Sequence, residues 1–255
     1  VPSWNPDQYL RFGSERLRPA LDLLARIPLE TPQSIYDLGC GPGTVTVLLK
    51  SRWPGASVVG VDSSVRMLEK ARALGAGITW RDADLGSWAP DAPADLLFSN
   101  ATLHWLDQHE RLFPRLLASL KANGVLAVQM PHNFAAVTHT AITEAVRAGP
   151  WRERLAPHLR QWPVLDLHDY YAILSSHAAR LDLWETTYLH VLEGDDPVVE
   201  WVKGSALRPW LERLQGAEAE AFLDVYRTRI REAYPRRQDA KTLLPFKRLF
   251  IIAVR

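Results

Sequence analysis

Asp37-Leu38-Gly39-Cys40-Gly41-Pro42-Gly43-Thr44 is the stretch on which the reading of this chain turns. An apolar run at residues 34–38 leads into it, and a helix-compatible segment at 44–53 leads out of it. Asp62 stands nineteen residues after Gly43, at the end of a second apolar run at 58–61. Strand, glycine turn, helix, strand and carboxylate make up the first half of a nucleoside-binding βαβ unit. The glycines let the backbone turn sharply and approach a ligand more closely than any Cβ permits. In such a unit Asp62 accepts hydrogen bonds from a ribose diol.

The loop departs from the dinucleotide pattern in two ways. A pyrophosphate loop reads G-x-G-x-x-G and aims helix N–H groups at phosphate. Here Thr44 stands where a third glycine belongs, and Asp37 lies two residues ahead of the turn. A carboxylate there repels a pyrophosphate but pairs with an amino-acid ammonium group. The run resembles the first motif of class I S-adenosylmethionine-dependent methyltransferases. The lesser alternatives are a dehydrogenase and an ordinary glycine-rich βα turn.

Bulk properties narrow the class without choosing the chemistry. The 255 residues suffice for one sizeable core, and 47% apolar with 23% charged residues is ordinary for a globular protein. A net charge of +1 asks for no nucleic-acid or membrane partner, and no apolar stretch approaches the length of a membrane span. No signal-peptide pattern opens the sequence at Val1, which reads as a trimmed start. Cys40 is the only cysteine, so an internal disulfide is excluded and a cytoplasmic location is expected. Between two glycines, Cys40 reads as a small packing residue rather than a nucleophile. The ten tryptophans point to a cavity with aromatic lining.

Hydrophobic periodicity gives the organisation. Residues 16–27 form an amphipathic helix with Leu17, Ala20, Leu21, Leu24 and Ile27 on one face. Strands follow at 34–38, 57–61, 78–81, 95–99 and 125–130, with a helix at 44–52. Ser63 or Ser64 caps a helix carrying Val65, Leu68 and Ala71 inward. Asp107 and Glu110 have capping-box spacing for a helix to Leu120, closed by Asn123-Gly124. Beyond Pro131 the chain turns helical and irregular to about 176, then a long strand at 181–192, a helical stretch at 197–234 and a terminal strand at 248–254. The expectation is a single α/β domain over 1–255: a Rossmann-like, mostly parallel seven-stranded sheet with helices on both faces. Cap elements are expected at 1–30, 132–176 and 194–240.

S-adenosylmethionine sets distinct demands on such a site. Gly39, Gly41 and Gly43 pack against its amino-acid tail, with Asp37 near the ammonium. Asp62 takes the ribose hydroxyls, Ser63 and Met67 wall the adenine, and Asp84, followed by Leu85, takes the adenine amino group; a solvated turn is the plainer role for Asp84. Asn100, in Ser99-Asn100-Ala101-Thr102-Leu103-His104-Trp105-Leu106, faces the ligand crevice at the end of a strand. The N/D-P-P-Y/F tetrapeptide of amino-methylating enzymes is missing there, which argues against a base or amide nitrogen as acceptor. His104 is a weak candidate for a general base beside a packing role, and Trp105 shapes the pocket. No metal site is expected.

Over nearly its whole length the chain resembles the trans-aconitate 2-methyltransferase family. Trp4-Asn5-Pro6, Tyr9-Leu10 and Ser14-Glu15-Arg16-Leu17-Arg18-Pro19 carry the likeness at one end. Beyond the glycine loop it continues in the segments at 100–106 and 126–131, in Trp184-Glu185-Thr186-Thr187-Tyr188-Leu189-His190, Leu207-Arg208-Pro209-Trp210 and Arg248-Leu249-Phe250. Residues 148–164 are the least family-like. The resemblance implies methyl transfer to one carboxylate of trans-aconitate, giving a monomethyl ester and S-adenosylhomocysteine. A tricarboxylate needs cations and hydroxyls. The family-like segments offer Arg16, Arg18, His190, Arg208 and Arg248, with Tyr9, Tyr188 and Tyr234 as phenolic donors; a surface ion pair is the competing role for each arginine. A carboxyl methyltransferase for another small acid or a malonyl-carrier thioester is the rival, and a non-catalytic cofactor-binding protein a second. A monomer is the expected assembly.

Overall fold

The computed structural model describes residues 17–75 and 77–255. Elements run in the order α1 (Arg18–Ala25), β1 (Ser34–Leu38), α2 (Thr44–Arg52), β2 (Ser57–Asp62), α3 (Val65–Arg72), β3 (Thr79–Asp82) and β4 (Ala94–Asn100). Then come α4 (His109–Ala118), β5 (Leu120–Pro131), α5 (Val137–Ala148), α6 (Arg152–Leu155), α7 (Leu167–Leu174) and β6 (Arg180–Leu192). The chain finishes with α8 (Pro197–Lys203), α9 (Arg208–Leu211), α10 (Gly216–Ala233) and β7 (Thr242–Val254). Seven strands form one sheet in the order β3-β2-β1-β4-β5-β7-β6. β1 to β5 pair in parallel and β7 runs antiparallel to β5. The order reverses between β1 and β4, where open α/β sheets bind ligands at the carboxyl ends of their strands.

The chain divides into two compact units: residues up to 131 with Pro163–Thr186 and Arg248–Arg255, and His132–Trp162 with Thr187–Lys247. In the first, Leu38, Val61, Leu97 and Val128 from the parallel strands and Leu249 and Ile251 from β7 pack against Phe113 and Leu116 of α4 and Tyr170 and Leu174 of α7. A 2.6 Å hydrogen bond between His109 Nδ1 and the Tyr170 hydroxyl ties α4 to α7 inside that core. Parallel strands buried on both faces explain the near-continuous apolar runs of β1, β4 and β5.

The second unit is built on helix packing. Ala141, Ala145 and Val146 of α5 meet Phe222, Tyr226 and Ile230 of α10. Tyr226 donates to the Thr138 carbonyl at 3.0 Å, and Trp151 Nε1 to the Ala145 carbonyl at 2.8 Å. The segments expected as cap are shared out: those at 132–162 and 194–240 fall in the second unit, whereas 17–30 and 163–176 fall in the first.

Local expectations are corrected in several places. α1 spans Arg18–Ala25 and buries Leu23, leaving Leu21 half-exposed. Val65, the first residue of α3, is 54% exposed, while Leu68 and Ala71 are buried. No capping box opens α4: its N-cap is Gln108, in the left-handed region at φ +59°, with no side-chain cap. Asn123-Gly124 does not close that helix, which ends at Ala118; both residues lie within β5. There the Asn123 amide donates to the Arg255 carbonyl and the Arg255 amide to that of Gly124, bonds that tie the segment to Arg255 even though Asn123 sits in the left-handed region at φ +62°. β7 starts at Thr242, six residues ahead of the expected strand.

Candidate functional site

A cavity of about 530 Å³ opens at the switch point between β1 and β4, walled by the loops after β1, β2, β3 and β4. The glycine loop supplies one wall. Gly39 adopts φ +77°, and a Cβ there would lie 2.1 Å from the Thr102 side chain. Thr102 Oγ1 donates to the Gly39 carbonyl at 3.1 Å, so the loops after β1 and β4 are bound to each other. Gly41 at φ +54° has open space where its Cβ would be, which leaves its backbone bare toward the cavity.

Three carboxylates stand on the wall: Asp37, Asp62 and Asp84. Asp62 Oδ2 accepts the Gly41 amide and Oδ1 the Ser64 amide, both at 2.8 Å. Each oxygen has a further lone pair for a ligand hydroxyl. Asp84 Oδ1 accepts the Gly86 amide at 2.9 Å, closing a turn. Arg115 of α4 donates to the carbonyls of Leu85 and Trp88 at 2.9 and 2.7 Å and so fixes the loop that bears Asp84. Asp37 is 2% exposed and accepts the Thr46 hydroxyl at 2.6 Å. Burial pushes its carboxyl up to about 7; the Thr46 bond pulls downward and the Asp62 charge adds to the rise. Burial, with Asp37 and Asp62 nearby, also pushes the Cys40 thiol up, away from a reactive thiolate and toward a packing role.

Lysine, arginine and histidine are missing from the described residues of this wall. Three carboxylates with bare backbone suit a cationic ligand carrying a diol and repel a pyrophosphate, which disfavours the dehydrogenase reading. The Asn100 side-chain oxygen is buried at the end of β4 with no hydrogen-bond partner among the described residues, an acceptor available to an amine or hydroxyl.

Of the residues expected around a cofactor, Asp37, Gly39, Gly41, Asp62, Ser63, Met67, Asp84, Leu85 and Asn100 share this cavity. Gly43 does not line it. It is the left-handed N-cap of α2, and a Cβ on it would meet Trp80 at 2.6 Å. Sequence reasoning assigned no role to Thr102 and Thr46. Of the two serines expected to cap α3, Ser64 does so through its hydroxyl. Thr102 and Thr46 act through contacts that no local pattern announces.

The expected substrate residues are dispersed. Tyr9 and Arg16 lie outside the described residues. In the first unit Trp105 lines the cavity and is 49% exposed, and Arg18 is exposed on the first turn of α1. Arg248 is 8% exposed and pairs in register with Pro131, at the same sheet edge where Asn100 pairs with Gln129. His104 is buried against the Trp105 ring and does not line the cavity. In the second unit Tyr188 and His190 are buried, with His190 stacked 4.6 Å from Trp201. Tyr234 follows α10 and lines a separate cavity of about 490 Å³. Arg208 is exposed and its Nε donates to Glu212 at 2.7 Å, the surface ion pair that was its competing role.

A family profile described as a methyltransferase domain matches residues 35–124. The fold is similar to that of the YcgJ protein from Bacillus subtilis, with a TM-score of 0.60 at 13% identity over 93% of this chain and 98% of that one. It is also similar to Haemonchus contortus phosphoethanolamine N-methyltransferase 2, solved with S-adenosylhomocysteine, at a TM-score of 0.55 and 18% identity over 93% of this chain and 52% of that one. Sheet order, glycine loop and cavity define a class I S-adenosylmethionine-dependent methyltransferase. Trans-aconitate 2-methyltransferase of Azoarcus sp. (strain BH72) is 48% identical over the full length of both chains. The Escherichia coli O7:K1 enzyme of that name is 43% identical over 100% of this chain and 99% of its own, and the Streptomyces coelicolor one 48% over 99% and 87%. The chain belongs to the trans-aconitate 2-methyltransferase family.

Proposed function

We propose that this protein transfers the methyl group of S-adenosylmethionine to one carboxylate of trans-aconitate, yielding a monomethyl ester and S-adenosylhomocysteine. The observation that carries the reading is a carboxylate-walled cavity, without a cation among its described residues, at the switch point of a chain 48% identical, end to end, to an enzyme of that name. Bound there, S-adenosylmethionine supplies a methyl on a cationic sulfur that a carboxylate oxygen displaces directly, the C–S electron pair returning to sulfur.

The protein's own residues bind and orient. Asp62 holds the ribose hydroxyls, where hydrogen bonds to a charged acceptor contribute about 1.5–3 kcal/mol each. Asp37 faces the ammonium, Met67 and Leu85 flank the base, and Asn100 accepts from a polar hydrogen of the ligand. No general base is required: a carboxyl with a pKa near ~4 is already ionised at neutral pH. This agrees with His104 standing off the cavity wall. Rate enhancement then rests on orientation, for which effective molarities of about 10⁵–10⁸ M are attainable. Trp105 and Arg248 are the proposed substrate contacts of the first unit, with Arg18 as a further cation. Tyr188, His190 and Tyr234 of the second unit, and Tyr9 and Arg16, are candidates that the family resemblance alone supports. The proposal extends to a monomer acting in the cytoplasm, where a single buried cysteine fits reducing conditions.

S-adenosylhomocysteine formation from purified protein, S-adenosylmethionine and trans-aconitate tests the reading, with the ester identified by mass spectrometry. Turnover favouring trans-aconitate over cis-aconitate, citrate and isocitrate is the expected result. Cofactor binding without turnover on any of them would sink the substrate assignment.

A further inference from the structure

Thr46 does not line the cavity, yet it touches the wall's most deeply buried charge. It lies in the first turn of α2, fully buried, and its hydroxyl donates to Asp37 Oδ2 at 2.6 Å. That is the length of a charge-assisted O–H···O⁻ bond. Asp37 is the penultimate residue of β1, and its cross-strand neighbours, Gly60 of β2 and Phe98 of β4, carry no charge. Among the described residues, the titratable groups that face it are Asp62 from the end of β2 and Cys40 from the glycine loop, neither of them cationic. α2 has no acidic residue in its first turn and no side-chain cap, so Asp37, held through Thr46, supplies the negative group at that helix end.

Resting on the cofactor reading above, we infer that Thr46 is a positioning residue for cofactor recognition: its hydroxyl fixes the Asp37 carboxylate and favours its ionised form, so that binding of a cationic ligand expels a proton from Asp37 to solvent. Burial raises the Asp37 carboxyl to about 7, so near neutrality both forms are present in the free protein. A ligand ammonium prefers the ionised form, and linkage then ties affinity to pH. Affinity rises as pH climbs toward 7, by up to about tenfold per unit, and levels off above. The ligand's own α-amino group loses its proton near ~8, so the informative window is roughly pH 5.5–7.5.

Calorimetric titration with S-adenosylhomocysteine in two buffers of different ionisation enthalpy reads the proton directly. At pH 6.5 the wild-type protein is expected to release roughly 0.75 proton per ligand bound. Thr46→Val is expected to weaken binding about tenfold at pH 7 and to move the midpoint of the affinity–pH curve upward. Thr46→Ser restores both, and Asp37→Asn abolishes the pH dependence. A Thr46→Val curve superimposable on the wild type, or a serine variant as weak as the valine one, overturns the inference. Zero proton release by the wild type does so without any variant, so a poorly folded Thr46→Val protein leaves the test intact. A wild-type protein that binds neither S-adenosylhomocysteine nor S-adenosylmethionine would overturn the cofactor reading itself.

Discussion

Charged side chains on the wall of the first unit's cavity and on the helices of the second unit are used in opposite ways. In the first, Asp37 is 2% exposed and Asp62 is held by two backbone amides, both on the wall of a cavity without described cations. In the second, Arg229 pairs with Glu144, Arg154 with Glu218 and Arg231 with Asp196, bonds that link α10 to its neighbours at the surface. Water screens such exposed pairs, and they contribute little to stability. A carboxylate fixed by backbone amides at a strand end keeps lone pairs open to the cavity, whereas one met by an exposed arginine is spent on its partner. Helix packing holds the second unit; preorganised negative charge is what the first one offers.

The sharpest way to break this contrast is Asp62→Ala. It removes the acceptor proposed for two ligand hydroxyls and leaves the Gly41 and Ser64 amides without the carboxylate they donate to. A loss of at least about a hundredfold in S-adenosylmethionine affinity is expected from hydrogen bonds of this kind, read by calorimetry. Retained affinity would mean that the carboxylate wall is ornamental. Gly39→Ala comes next, since its Cβ would meet Thr102 and the backbone is left-handed. About 2–5 kcal/mol of stability should be lost on denaturant unfolding.

The pH dependence of folding sharpens the comparison further. The Asp37 carboxyl titrates at about 7 when folded against 3.8 for an ordinary aspartate, so between those values the folded state holds a proton that the unfolded state has released. Its contribution to stability is therefore present at acid pH and lost as pH rises through 7, with a slope of up to about 1.4 kcal/mol per pH unit. Urea melts of the ligand-free protein should show that slope flattened in Asp37→Asn. In the second unit, Tyr226→Phe deletes the bond to the Thr138 carbonyl and should cost about 1 kcal/mol in the same assay without changing cofactor affinity. Arg208→Ala is expected to do least: a stability change within about 0.5 kcal/mol and an unchanged KM for trans-aconitate. A raised KM would return Arg208 to the substrate site despite its pairing with Glu212.

Much of the first unit was legible because its signals are local. A glycine turn, its flanking apolar runs and the acid after the second run are fixed by a few consecutive residues, and nine of ten expected cofactor residues share the cavity. Gly43 lies outside the cavity wall, where its bare backbone makes room for Trp80. The misread helix ends have the same origin in reverse. Asp107 and Glu110 have the spacing of a capping box, but the left-handed Gln108 opens the helix later, and Asn123-Gly124 is held in a strand by the distant Arg255. The pairing of Arg208 was legible too, in Glu212 four residues on, the usual spacing of a helical ion pair.

By itself, then, the sequence determined the parallel α/β architecture, the glycine loop and the carboxylate at the end of the second strand, since backbone conformation and strand period are properties of short segments. Tertiary structure alone decided that Thr102 reaches Gly39 across 63 residues, that Thr46 grips Asp37, and that residues 163–176 pack with the sheet rather than with the helical unit. Those are contacts between elements remote along the chain, and their energies exist only once the sheet has set the strand order that brings them together.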